Sequence, residues 1–106
     1  MSGPRTITED KDRLDNVHPG DILREDFLIG SEIPVEEVAE GAGLHMDQLG
    51  AILSGQQPVD ANVDIRLARY FGISEGFFLG LQNDYDLEAV RRANGPELDK
   101  ISKRAA

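Results

Sequence analysis

The residue types that carry out catalysis are few in this sequence, and they are not grouped. The chain has two histidines, His18 and His45, and no cysteine, so a cysteine nucleophile and a cysteine-type zinc site are excluded. Asp84 and Asp86 are two residues apart, and on a helix such carboxylates point in different directions and cannot share a proton. With no nucleophile–base pair, phosphate loop or metal-ligand spacing, the sequence predicts a binding protein without cofactor or metal, and not an enzyme.

Several residues that could bind a ligand could also have a purely structural role. His18 precedes Pro19 at a predicted helix start, which favours a structural role. For His45, also at a predicted helix start, contact with a ligand and simple solvation both stay open. Arg66 and Arg69, three residues apart, either pair with acidic neighbours or stay available to an anionic partner, and for Arg66 the structural role is favoured. The candidate acidic neighbours are Asp60, Asp64 and Glu25.

The charge of the chain is unevenly distributed. The 106 residues have a formal net charge of −9, yet residues 34–59 contain four acidic residues and no lysine or arginine. Glu36, Glu37 and Glu40 lie on the outer face of one predicted helix, where they form either a solvated surface or a docking surface for a basic partner. Because nucleic-acid binding usually depends on a basic patch, this segment is poorly suited to bind phosphate.

The elements that position these residues are all predicted to be helical. Apolar residues recur at helical spacing, and no segment alternates as a strand does. Asp60 is a suitable N-cap, and Gly43 and Gly72 suit helix C-termini because a left-handed turn costs glycine little. The predicted helices are 19–28, 34–43, 45–54, 61–71, a fifth capped by Ser74, and a final stretch at 84–93 that Asn94, Gly95 and Pro96 break.

The predicted helices form one domain, at 18–94, between two terminal segments. Residues 1–17 are polar and mixed in charge, which predicts a flexible arm whose basic residues can reach a nucleic acid. Residues 95–106 predict a tail with at most a short helix. No apolar run approaches the roughly 20 residues that span a bilayer. The N-terminus lacks a secretory signal, so a cytoplasmic protein without membrane contact is expected.

Two short helices around the turn at Gly43 form a helix-turn-helix pattern between Pro34 and Leu53. Their flanks are more distinctive: HPGDILREDFL at 18–28, and IRLARYFGIS at 65–74 followed by FFLGLQ at 77–82 and YDL at 85–87. From His18 to about Leu87 the chain resembles the HigA family of antitoxins. The resemblance implies an all-α, five-helix Cro/C1-type (lambda-repressor-like) domain with a short C-terminal helical extension. It also implies a homodimer that binds palindromic operator DNA, represses its own transcription and neutralises a HigB-type ribonuclease toxin.

The resemblance also places the residues expected to contact DNA. The DNA-binding candidates are His45, Met46, Asp47, Gln48, Ala51, Gln56 and Gln57. Glutamine can pair with adenine, Met46 and Ala51 can touch a thymine methyl group, and Asp47 can accept from cytosine but repels phosphate. The segment between the two flanks departs from the family pattern. Pro34 stands where the family usually has a serine N-cap, and Val35 stands where it usually has a polar residue that contacts phosphate. We therefore expect weak or salt-sensitive DNA binding, and the alternative is a protein-interaction module of the same fold whose DNA binding is weak or lost.

The start of the fifth helix suggests where two chains meet. Phe77, Phe78 and Leu79 are consecutive, so they cannot all lie on one face of a helix. Of Phe77, Phe78 and Leu81, some are expected to pack in the core and some, with Leu79, to face a second chain. The predicted dimer interface therefore consists of Phe77, Phe78, Leu79 and Leu81.

Overall fold

The computed structural model describes residues 15–105, which form five helices numbered here α1 to α5. The helix α1 begins as an α-helix, Pro19–Ile22, and continues as a π-helix, Leu23–Ile29. The other four helices are α2 (Val35–Ala42), α3 (Met46–Leu53), α4 (Ala61–Phe71) and α5 (Phe77–Leu98). The described residues contain no strand, which confirms the predicted all-helical fold. The predicted arm lies outside the described residues, apart from 15–17.

The core lies between the apolar faces of all five helices. Its fully buried side chains come from every element, and Phe78 is the largest of them. Other fully buried apolar side chains include Leu23, Leu49, Ile52, Leu67, Val38 and Val63. Their burial supplies most of the stability of the fold, at about 25 cal/mol for each Å² of apolar surface removed from water. None of the helices within residues 15–105 has the length and apolar character needed to cross a bilayer.

The π-helical part of α1 follows from the spacing of its leucines. Leu23 and Leu28 are both buried, at 1% and 4% exposure, although they are five residues apart. The i→i+5 hydrogen bonds of a π-helix bring such residues onto one face, and the Gly30 N–H donates such a bond to the carbonyl of Glu25. The predicted helix at 19–28 is therefore confirmed, with π geometry in its second part.

The N-terminal end of α1 packs closely on α3. His18 caps α1, and its Nδ1 accepts a hydrogen bond from the backbone N–H of Gly20 at 2.9 Å. A side chain at Gly20 would overlap the backbone carbonyl of Ile52, so only glycine permits this approach. The contact fixes α3 against the core from the side opposite to its exposed first turn.

Arginines from outside the helix-turn-helix unit neutralise its helix C-termini. Neither α2 nor α3 has a basic residue in its last turn. Arg66 of α4 donates to the carbonyls of Ala42 and Gly43 at 3.3 and 3.4 Å, and Arg24 of α1 donates to the carbonyl of Leu53 at 2.9 Å. Each guanidinium satisfies terminal carbonyls and offsets the negative end of a helix dipole.

The turn between α2 and α3 has the predicted geometry. Gly43 is left-handed, with φ 71° and ψ 38°. The N–H of the buried Leu44 donates back to the carbonyl of Ala39 at 2.8 Å. This closes α2 and turns the chain into α3, so the prediction of Gly43 as the end of the helix is confirmed.

A carboxylate of α4 caps α5. Asp64 is 2% exposed, and its oxygens accept from the N–H groups of Gly76 and Leu79 at 2.5 and 2.8 Å. The prediction that the Ser74 side chain caps this helix is wrong, since α5 begins at Phe77 and no side chain next to its first turn caps it. Two N–H groups at the start of α5 are thus satisfied by a carboxylate twelve and fifteen positions earlier in the chain.

The helix α5 is longer than predicted. The stretch predicted separately at 84–93 belongs to α5, which runs to Leu98. The predicted break is present as a kink, because Asn94 leaves helical geometry at φ −124° and ψ 23° two residues before Pro96. Proline lacks the N–H of a helical hydrogen bond, and the kink accommodates it. The predicted break is therefore present as a kink at Asn94, with helical residues on both sides of it.

Candidate nucleic-acid interface

The first turn of α3 is presented to solvent by the burial of its other face. Leu49 and Ile52 are fully buried, so the residues on the opposite face point outward. His45, Met46 and Asp47 are exposed and Gln48 is half-buried. His45 is the N-cap residue, but its side chain makes no capping bond. The N–H groups at this end of α3 therefore supply donors and a partial positive charge at the surface.

The loop after α3 folds back toward this turn. The carbonyl of Ala51 accepts from the N–H groups of Gln56 and Gln57 at 2.8 and 3.2 Å, which closes the loop on the helix end. Five of the seven predicted DNA-binding residues line one surface hollow of about 710 Å³: His45, Met46, Asp47, Gln48 and Gln57. Ala51 is half-buried and Gln56 is exposed, and neither lines this hollow.

A buried glutamine on α5 holds the far end of the same loop. Gln82 is 4% exposed. Its Oε1 accepts from the N–H of Val59 at 2.8 Å, and its Nε2 donates to Asp86 at 3.0 Å. Sequence reasoning did not assign this role, although Gln82 lies four residues after the buried Phe78. The sequence feature that could have predicted this role is the position of a polar residue on the buried face of a helix.

The hollow offers hydrogen-bonding groups but little positive charge. The amides of Gln48 and Gln57 donate and accept, Asp47 accepts, and Met46 is an apolar contact that is 44% exposed. The described arginines near the helix-turn-helix unit have other partners. Arg66 also bonds Asn62 at 3.0 Å, and Arg69 forms an ion pair with Glu75 at 2.8 Å.

The partners predicted for the α4 arginines are wrong, although the structural role favoured for Arg66 is confirmed. Asp60 is occupied as the cap of α4, accepting from the N–H of Val63 at 2.9 Å. Asp64 caps α5, and Glu25 pairs with Arg24. Each of the three carboxylates has a nearer backbone or side-chain donor, so Arg66 and Arg69 take other acceptors.

The acidic face of α2 is open to solvent. Glu36, Glu37 and Glu40 are exposed, and within residues 15–105 no arginine or lysine forms an ion pair with them. Glu37 accepts a long hydrogen bond from the hydroxyl of Tyr70 at 3.5 Å. Burial, together with the charge and hydrogen bond of Glu37, raises the pKa of Tyr70, so Tyr70 stays neutral and Glu37 supplies the charge of this pair.

His18 has the structural role predicted for it. Its ring is buried and meets the ring of Tyr85 edge-on, at 5.0 Å between centroids. Burial lowers the pKa of His18 below its ordinary value, against an opposing effect of Asp21 and Asp86. The neutral form is thus favoured, and it is the form that can accept from the Gly20 N–H.

The residues predicted for a dimer interface divide between core and surface. Phe78 is fully buried, with ring neighbours Phe27 and Phe71 at 5.2 and 6.4 Å between centroids, so its assignment to a contact between chains is wrong. Leu81 packs against the same core. Phe77, by contrast, is 43% exposed, and Leu79 is half-buried.

Both the sequence and the fold of this chain are similar to those of known proteins. No family model matches the chain. Virulence-associated protein I of Dichelobacter nodosus is 30% identical over 87 residues, which are 82% of this chain and 81% of that protein. The structure of Pseudomonas aeruginosa antitoxin HigA with the higBA promoter has a TM-score of 0.79 and 32% identity, covering 86% of this chain and 100% of HigA. A HigA-family addiction module antidote protein from Coxiella burnetii has the same TM-score at 27% identity, covering 87% and 100%. The shared fold and sequence therefore show that the chain belongs to the HigA-like family of helix-turn-helix antitoxins.

Proposed function

We propose that this chain is a HigA-like antitoxin that binds its own operator as a dimer, represses its own transcription and neutralises a HigB-type ribonuclease toxin. It acts by binding and not as an enzyme. The observation that carries the DNA-binding half is the hollow at the start of α3, where the N-cap residue His45, three helix residues and Gln57 meet. The HigA structure determined with promoter DNA supports the same use of this fold.

The proposed reading of DNA follows from the groups that line the hollow. A helix fits the major groove of B-DNA, and its first turn reaches the base edges. Gln48 and Gln57 are suited to adenine, which presents a donor and an acceptor side by side, and Met46 is suited to a thymine methyl group. The N–H groups at the start of α3 are suited to a phosphate oxygen.

Electrostatics set the expected strength of this binding. Counterion release by lysine and arginine supplies nearly all non-specific affinity for DNA, and residues 34–59 contain neither residue type. We expect operator binding to be weak at physiological salt. The measurement is a salt titration of binding to promoter DNA from the chain's own locus, with a scrambled duplex as reference.

Two glutamine variants distinguish base reading from general attraction. Gln48→Ala should lower operator affinity about 5- to 150-fold and reduce discrimination against the scrambled duplex, because a good bidentate base contact is worth about 1–3 kcal/mol. Gln56→Ala is the matched control outside the hollow, and it should weaken both duplexes equally. Unchanged discrimination in Gln48→Ala would contradict the proposed interface.

The acidic helix-turn-helix unit raises one alternative to be tested. A protein-interaction module of the same fold would bind the toxin, and its binding to the operator would be weak or lost. Absence of promoter binding even at low salt would identify this alternative. The toxin half is tested by co-expression with the neighbouring gene product: relief of growth arrest supports the antitoxin, and persistent arrest counts against it.

A further inference from the structure

The loop between α3 and α4 carries Gln57 of the hollow, and it is held at both ends. We call this loop, residues 54–60, the reading loop. At its near end, the N–H of Gln57 donates to the carbonyl of Ala51 on α3 at 3.2 Å. At its far end, the side chain of Val59 is 3% exposed and packs in the core. The backbone N–H of Val59 is buried with it and therefore needs an acceptor inside the protein.

The acceptor for this N–H comes from α5, outside the helix-turn-helix unit. Oε1 of Gln82 accepts from the N–H of Val59 at 2.8 Å, across 23 positions of the chain. Gln82 is 4% exposed, so solvent does not replace the bond if the side chain is removed, and the N–H would be left unsatisfied. The amide of Gln82 thus ties the backbone at residue 59 to α5.

Asp86 fixes which end of the Gln82 amide faces the reading loop. An amide has an acceptor at one end and two donors at the other, and only the acceptor end can bond the N–H of Val59. Nε2 of Gln82 donates to Oδ1 of Asp86 at 3.0 Å. A carboxylate accepts and does not donate, so a reversed amide would bring two oxygens together. Asp86 therefore keeps Oε1 turned toward Val59.

Pro58 makes the segment between Val59 and Gln57 stiff. The proline ring fixes its own φ at about −65°. It also limits the residue before it, Gln57, to extended backbone conformations. Residues 57 and 59 are at most about 7 Å apart along an extended chain. A displacement of Val59 is therefore passed on to Gln57, since little backbone rotation is available to absorb it.

We propose that Gln82 is a positioning residue for DNA recognition. It holds Val59 in place, and through Pro58 it sets the position of Gln57 at the hollow, while Asp86 orients its amide. A recognition group has to be held within about 0.5 Å of its working position, and a loop that must be ordered on binding lowers affinity. The inference rests on the proposed function, and it adds a buried residue of α5 to the determinants of operator specificity.

Amide hydrogen exchange in the free protein tests the anchor. The N–H of Val59 should exchange slowly in the wild type and at least about tenfold faster in Gln82→Ala, because local opening then exposes it. The N–H of Leu49, which donates to the carbonyl of His45 on α3, is the internal reference and should keep its rate. Equal acceleration at both sites would show a general loss of stability and would overturn the proposal.

A cycle of variants tests whether the anchor acts through Gln57. Gln82→Ala should lower operator affinity about fivefold or more, as loss of a base contact does. In the Gln57→Ala background, the same change should lower affinity less than about twofold, because the side chain to be positioned is absent. In the Gln48→Ala background it should keep its full effect, because α3 and not the reading loop holds residue 48. Equal effects in the two backgrounds would contradict the positioning of Gln57.

The variant Asp64→Ala is the matched control for stability. Asp64 caps the start of α5 through the N–H groups of Gly76 and Leu79, away from the reading loop. Its removal should destabilise the fold and leave the discrimination between operator and scrambled duplex unchanged at a temperature where the variant is folded. If Asp64→Ala loses discrimination as Gln82→Ala does, reduced stability is the cause and the positioning role is wrong.

Reversing the hydrogen bond between the two α5 side chains provides a rescue. Gln82→Glu keeps an acceptor for Val59 but places a second carboxylate beside Asp86, so it should weaken operator binding. Adding Asp86→Asn to Gln82→Glu lets the introduced amide donate to the introduced carboxylate. Affinity should then recover by about fivefold or more, and failure to recover would overturn the role of Asp86. Work at pH 8 keeps His18 neutral, since burial lowers its pKa.

The exchange and DNA measurements separate this inference from the proposed function. A wild type that protects the N–H of Val59 and binds no promoter at low salt would contradict the proposed function, whereas the anchor itself would stand. Promoter binding whose discrimination is unaffected by Gln82→Ala would overturn the positioning role and leave the proposed function standing.

Discussion

Single buried polar residues carry much of the local precision of this fold, and His18 is the most pH-sensitive of them. Its Nδ1 accepts from the Gly20 N–H, and its ring packs on Tyr85. A protonated ring has no acceptor, so the hydrogen bond requires the neutral form. Two carboxylates, Asp21 and Asp86, act in the opposite direction and raise its pKa, but burial dominates and the pKa stays below its ordinary 6.5.

The lowered pKa of His18 predicts a loss of stability in mild acid. The unfolded chain binds the proton more readily, so the stabilisation is complete above about pH 6.5 and disappears as the pH falls through the pKa of the folded state. Thermal melts between pH 8 and pH 5 measure it. His18→Asn keeps a capping oxygen without a titrating ring, and its melting temperature should fall less over this range. Equal pH dependence in the two proteins would exclude His18 as the source.

The capping of α5 by Asp64 can be compared directly with capping by Ser74, which lies closer in the sequence. Asp64→Ala should lower the free energy of unfolding by about 2 kcal/mol, since the N–H groups of Gly76 and Leu79 lose their acceptor. Ser74→Ala, at the position that the sequence favours as the cap, should change it by less than about 0.5 kcal/mol. Denaturant unfolding measures both values, and similar losses in the two variants would contradict the assigned cap.

The C-terminal ends of α2 and α3 are stabilised by arginine side chains from neighbouring helices. Arg66→Met removes the donor to the carbonyls of Ala42 and Gly43 and keeps much of the side-chain bulk. It should lower the free energy of unfolding by about 1 kcal/mol. Arg104→Met, an exposed arginine near the C-terminus, is the control and should have no measurable effect. If the stability of Arg66→Met is unchanged, the arginine is not needed to stabilise the fold, and a role in contacting DNA would be favoured instead.

The sequence predicted those elements whose ends are determined locally. The bounds predicted for α4 match the structure because Asp60 and Gly72 lie directly at its ends. The start of α5 was missed because its cap comes from Asp64, on another helix. The π geometry of α1 was missed because apolar residues at roughly helical spacing do not show whether the buried leucines lie on an α-helix or on a π-helix. The cluster at the start of α3 could be placed only by resemblance, since its residues carry no distinctive chemistry individually.

For the whole molecule, the acidic net charge is the property that best fits a basic protein partner. Replacing Glu36, Glu37 and Glu40 by glutamine should slow association with a basic ribonuclease toxin and flatten its salt dependence, while the dissociation rate changes little. The control removes equal charge elsewhere, by Glu32→Gln, Glu97→Gln and Asp99→Asn. Stopped-flow association rates compare the two, and equal slowing would show attraction by overall charge without a docking face.

The π-helical turn of α1 has a consequence for the evolution of this chain. Leu23 and Leu28 share one buried face although five positions separate them, and an exposed residue, Asp26, lies between them. Deleting Asp26 would place the leucines four apart, the spacing at which an ordinary α-helix puts two residues on one face. We expect the shortened chain to fold, with a regular first helix that circular dichroism and a crystal structure would reveal. Deletion of one residue should therefore be tolerated at this point of the chain, where other helices would lose their register.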